Sequence, residues 1–133
     1  MAETQNVASM LDFIFYAMVA AFIAHELDAV KRHEWRVLPL TSFLPDEVGE
    51  QVFICAHVPL LAFLLWGTAG NPDGAMRVGL ATFSIVHIGL HALFRKHPAY
   101  EFNNAGSWSL IILTGILGAW YLGALAVDCH ASV

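Results

Sequence analysis

Four apolar stretches, separated by short polar segments, account for most of this chain. They cover residues 8–30, 48–69, 76–95 and 106–127. A helix crossing the hydrocarbon layer needs about 20 mostly apolar residues, and each stretch supplies them. The first includes an uncharged run from Phe13 to Ala24. Helix-breaking signals mark the gaps. Pro39 and Pro45 fall in the first, Asn71-Pro72-Asp73-Gly74 reads as a turn in the second, and Pro98 follows the third stretch. The pattern predicts an all-α, integral membrane four-helix bundle, with residues 1–133 forming one domain.

Polar residues inside the stretches are few, and three histidines stand out. His25 lies six residues before Lys31, His57 seven after Glu50, and His87 eight before Arg95. At 1.5 Å per residue, each sits roughly 10 Å inside a charged boundary. In helices that alternate up and down, those boundaries share one side of the bilayer. Ionisable groups at such depth are costly and mark functional sites by default. At 100° per residue, His25, Asp28, Ala29 and Arg32 share a helix face, with Asp28 and Arg32 spaced for an ion pair. Asp46, Glu50 and His57 align on the second helix, and His87 and His91 with Ser84 on the third. These stripes are expected to turn inward, away from lipid.

Composition agrees with a membrane setting: 58% of residues are hydrophobic and 13% charged, with a mean hydropathy of +0.63. The net charge of −5 gives no reason to expect a nucleic-acid partner. Sidedness comes from the basic residues alone. Lys31, Arg32, Arg36, Arg95 and Lys96 flank one end of the helices, and Arg77 stands alone at the other. The positive-inside bias then puts the larger group in the cytoplasm, both termini outside and the histidine layer in the cytoplasmic leaflet of an inner membrane. Met1-Ala-Glu-Thr-Gln has no basic residue, which argues for a retained first span rather than a cleaved signal. Cys55 and Cys129 fall near opposite faces, too far apart to bridge. Cys55 reads as a free core thiol, with a soft metal ligand as the alternative.

The histidines suggest metal chemistry. A pair at i and i+4 offers two imidazoles from one turn, and carboxylates on facing helices complete such a set. The expected ligands are His25, Asp28, His57, His87 and His91, around zinc or iron. Glu50, His33, His97 and Glu101 would orient them, and Glu50 or Glu26 would serve as general base. Two alternatives remain open: a network without metal that orders the bundle or relays protons, and a haem held by facing histidines such as His57 and His87. In the fourth helix Gly115, Ala119 and Gly123 form a small-residue stripe for close packing. Trp108, Trp120 and Tyr121 suit interfacial belts. Pro59 is expected to kink the second helix. Residues 33–47 and 97–104 are placed to fold beneath the histidines as site walls.

Several motifs also carry a resemblance. His25-Glu26-Leu27-Asp28, His33-Glu34-Trp35-Arg36, Leu44-Pro45-Asp46-Glu47 and His97-Pro98-Ala99-Tyr100-Glu101-Phe102-Asn103-Asn104 together resemble a group of small bacterial four-helix membrane proteins of unknown function. More distantly, the chain is similar to membrane proteins named for a His-x-x-Glu-Glu motif, where this chain has Asp28-Ala29 in place of the two glutamates. The resemblance implies the fold and a bacterial inner membrane, and supplies no activity. Three functions compete. One is a membrane metalloprotein, with an enzyme acting on a lipid-like or quinone-like molecule as its catalytic form. The second is a cofactor-holding or accessory subunit of a larger complex, and the third a small oligomeric proton-relay transporter.

Overall fold

The computed structural model describes residues 2–69 and 74–131, with side chains from 9–69 and 74–130. The expected turn at Asn71-Pro72-Asp73 lies outside the described residues; Gly74 caps the helix that follows. Among the described residues there are four α-helices and no strand: α1 (Ala2–Lys31), α2 (Asp46–Thr68), α3 (Ala75–Phe94) and α4 (Ala105–Ala131). All four are long and apolar enough to cross a membrane. A 3-10 turn, Glu34–Arg36, lies between α1 and α2.

Buried positions follow the helical period. On α1 they are Leu11, Ile14, Phe15, Met18, Ala21, His25 and Ala29; on α3, Arg77, Ala81, Ser84, His87 and His91. Both stripes face α4, which packs along α1 and α3 alike. Asn104 caps α4: its Oδ1 accepts from the Ser107 backbone N–H at 2.9 Å, and the Ser107 hydroxyl donates to Asp28. α4 lies close against the α3 backbone at Gly118, where an added Cβ would lie 2.7 Å from the Ala81 carbonyl oxygen. At Gly115 it would meet the Ile88 side chain and, at 3.2 Å, the Ser84 carbonyl oxygen. The expected small-residue stripe is therefore corrected. Gly115 and Gly118 make the contact, while Ala119 is exposed and Gly123 faces open space. A three-residue step keeps both glycines on the inward face, and the four-residue repeat drifts off it. Gly118→Ala should lower stability by about 1–3 kcal/mol, the usual cost of overpacking, because a backbone oxygen cannot swing aside. A denaturation midpoint equal to wild type would contradict this. Tyr121 is also a correction: it is fully buried, with its ring 5.3 Å from that of Phe15, whereas Trp120 is exposed.

α2 packs differently. It continues through Pro59, and its buried residues are Gly49 and Phe53 towards one end and Thr68 at the other. Side chains pin each end. At the α2 start, the Trp35 indole and the Arg36 guanidinium donate to the Asp46 carboxylate, at 3.0 Å for Trp35 Nε1 and 2.7 Å for Arg36 Nε. Trp35 also covers Gly49, leaving no room for a Cβ there. At the far end Arg77 Nε donates to the Thr68 carbonyl oxygen at 2.7 Å. Between the pins α2 stands off from α1 and α3, and the gap is an apolar cavity of about 760 Å³.

A buried histidine triad as a candidate metal centre

The inward stripes of α1 and α3 bring His25, His87 and His91 together, and all three are buried. His87 Nε2 lies 2.9 Å from His25 Nε2 and 3.1 Å from His91 Nε2. One donor nitrogen from each ring falls within 4.8 Å of the other two. His87 and His91 are adjacent on one face because they are four residues apart. His25 meets them because α1 buries the stripe that contains it. Phe102 packs on the rings of His91 and His25, with centroids 4.8 and 5.7 Å away, and Phe22 covers His87 at 5.3 Å. The rings are thus walled by aromatic side chains.

Proton counting shows what this geometry favours. A neutral imidazole has one N–H and one lone pair. His87 Nε2 faces two other ring nitrogens, so a single proton or lone pair on it cannot serve both well. A cation would accept three lone pairs at once. For zinc–nitrogen bonds of 2.0–2.1 Å, tetrahedral ligands lie about 3.3 Å apart, so the two nitrogen pairs that share His87 need to open by only a few tenths of an ångström, and the third pair lies within 4.8 Å. His91 Nδ1 lies 3.3 Å from the Tyr100 hydroxyl, which can fix that ring's orientation. Burial, with Glu34 nearby, pushes the Tyr100 phenol up to about 12, so it keeps its proton. The buried His25 Nδ1 has no hydrogen-bond partner.

Glu34 completes the neighbourhood, with Oε1 3.8 Å from His91 Nε2. Burial pushes its carboxyl up to about 8, with Glu26 adding to the rise and His57 opposing it. It is the residue the sequence reading missed. His33 has φ 52°, in the left-handed region, and turns the chain back beneath the bundle. A non-glycine residue there leaves no sequence signal. The only hint was that the His33–Arg36 segment could wall the site.

The remaining candidates fall elsewhere. His57 does not join the triad: its Nε2 lies 2.9 Å from Glu26 Oε2, and its Nδ1 donates to the Phe53 carbonyl oxygen at 2.7 Å. The standoff of α2 keeps it across the cavity. Asp28 bonds Arg32 and Ser107 rather than the triad, and Glu50 is exposed near the start of α2 and does not line the cavity. His33 and Arg36 both hold Glu101, at 2.9 and 3.2 Å, and tie the two loops together. Exposed His97 accepts from the Ala99 backbone N–H. Cys55 and Cys129 are free and exposed, so Cys55 is neither a core thiol nor close to a ligand set. Of the residues expected to converge, three do. Glu26 and His57 face them as a separate pair in the cavity wall.

A family model described as a family of unknown function, DUF6713, matches residues 11–128. No curated protein and no solved structure matches the chain.

Proposed function

The chain belongs to the DUF6713 family, and we propose that it is an integral membrane metalloprotein in which His25, His87 and His91 hold one transition metal ion. The observation that carries this reading is the meeting of three buried ring nitrogens around His87 Nε2. An all-imidazole set suits zinc or ferrous iron, with positions left for water or substrate. Such an ion supplies a Lewis acid or an activated water. Glu34 is the nearby carboxylate able to hold a proton beside it. A haem held by His57 and His87 is disfavoured, because both ring nitrogens of His57 are already bonded, to Glu26 and to the Phe53 carbonyl oxygen. The cavity beside the triad supports an enzyme acting on a lipid-like or quinone-like molecule. Glu26, with His57 bound to it, is a closer general-base candidate than Glu50.

The test is metal analysis of protein purified without chelator. We expect about one equivalent of zinc or iron. Added metal at 100 times its dissociation constant should stabilise the apoprotein by about 2.7 kcal/mol. Absence of both effects would leave the metal-free hydrogen-bonded network as the better account.

Sidedness belongs to the same proposal. The chain forms one transmembrane unit of an inner membrane with the Lys31–Arg36 and Arg95–Lys96 loops in the cytoplasm. In a Cys55→Ser background, exposed Cys129 should react with an impermeant maleimide from the outer side of intact cells made permeable only at the outer membrane. Labelling only after inner-membrane lysis would reverse the topology.

A further inference from the structure

The cavity between α2 and α3 is polar at one end only. Its polar lining groups, among them Glu26, Glu34, His57 and Tyr100, gather at the end where α1 meets its loop. Outward from His87 along α3, the lining positions are Phe83, Leu80, Gly79 and Met76, and Leu60 and Leu64 face them from α2. The eleven residue steps from Met76 to His87 span about 16 Å of helix, so the apolar part is one long trough between α2 and α3. At about 760 Å³ the volume lies within the range of small-molecule sites. No lysine or arginine occurs among the described lining residues, and two carboxylates do.

We propose that this cavity binds a single-chain amphiphile with an uncharged hydrogen-bonding head, the head beside Glu34 and His57 and the tail along Gly79 and Leu60. This rests on the metalloprotein reading in one respect, that the head lies next to the bound ion. A hydroxyl or carbonyl head has partners there in the imidazole, carboxyl and phenol groups. A phosphate or carboxylate head meets Glu26 and Glu34 with no lysine or arginine among the described lining residues to pair with, and His57 is already bonded to Glu26. The neighbouring apolar cavity, lined by Val19, Ile23 and Leu61, holds only about 20 Å³, too little for a second acyl chain. Long-chain alcohols and alkylated quinones share the required chemistry.

Gly79 makes the proposal testable without disturbing the fold. A Cβ at Gly79 meets nothing within 4 Å, so a larger side chain grows into the tail end of the cavity. Gly89 is equally open on the same helix but does not line the cavity. Both positions gain helix propensity on leaving glycine. Detergent-purified protein is equilibrated with radiolabelled 1-hexadecanol, with palmitate, dipalmitoyl phosphatidylcholine and decyl-benzoquinone as competitors. We expect saturable retention of about one hexadecanol per chain, with palmitate and the phospholipid competing at least about tenfold more weakly, equivalent to about 1.4 kcal/mol. Gly79→Leu should lose retention about tenfold or more while keeping metal, and Gly89→Leu should match wild type. Displacement by decyl-benzoquinone extends the ligand class to quinones. Failure to displace narrows it to hydroxyl heads, and both results support an uncharged head. Equal competition by palmitate or phospholipid, or full retention by Gly79→Leu, overturns the proposal. A chain that carries metal but retains no hexadecanol refutes the ligand class alone. Gly79-sensitive retention by a chain without metal refutes the metal reading alone.

Discussion

Replacing His87 and His91 together by alanine should leave the purified protein without the proposed metal: two of the three candidate donor nitrogens go, and His25 alone cannot hold an ion. Affinity should fall by far more than the 10- to 100-fold typical when a supporting residue beside the ligands is lost. Glu34→Gln, which changes a carboxyl 3.8 Å from His91, should stay within that smaller range. The two effects separate a ligand from a neighbour. His87→Leu with His91→Phe keeps the buried volume, and apolar residues often replace buried polar networks without loss of stability. That variant should retain helical content and thermal cooperativity while its metal content, read by mass spectrometry, drops to background. If it keeps an equivalent of metal, the ion is held elsewhere.

The second large effect is expected at Arg77. The guanidinium is buried, bonds the Asp12 carboxylate at 2.5 Å and the Thr68 carbonyl oxygen at 2.7 Å, and lies 4.7 Å above the Phe15 ring. It therefore joins α1, the end of α2 and α3 through one side chain. Hydrogen bonds to a charged group are worth about 1.5–3 kcal/mol each, but half-exposed Asp12 remains partly hydrated after the loss. Arg77→Leu should then cost about 2–4 kcal/mol. Most of it should show at α2, whose Thr68 end Arg77 ties to α1 and α3. Hydrogen exchange over residues 60–68 should rise more than over α4. Uniform destabilisation of all four helices would argue against a local pin.

The same arrangement explains why a cavity opens between α2 and the α1–α3 pair. α1, α3 and α4 bury continuous stripes against one another, whereas α2 is held by Asp46 and Gly49 at one end and Thr68 at the other. The cavity is the consequence of pins that are strong and far apart. It brings the Glu26–His57 pair and the triad to facing walls of one space.

Hydropathy and helical period alone determined the four apolar helices, the neighbourhood of His87 and His91, and the Asp28–Arg32 pair. Each depends on residues within one helix, whose geometry is set by backbone hydrogen bonding whatever surrounds it. The depth argument also put His25 and His87 at one level, where they meet. Depth is only one of two coordinates. The direction each helix faces follows from packing, and that decided that His25 joins the pair while His57 takes Glu26 as its partner. The same contacts turned Gly118 rather than Ala119 towards α3 and buried Arg77, read from the sequence as a lone loop charge. Glu34 reached the triad through the left-handed turn at His33. Such choices arise between segments distant in the chain, where complementary surfaces compete, and no local pattern encodes which will win.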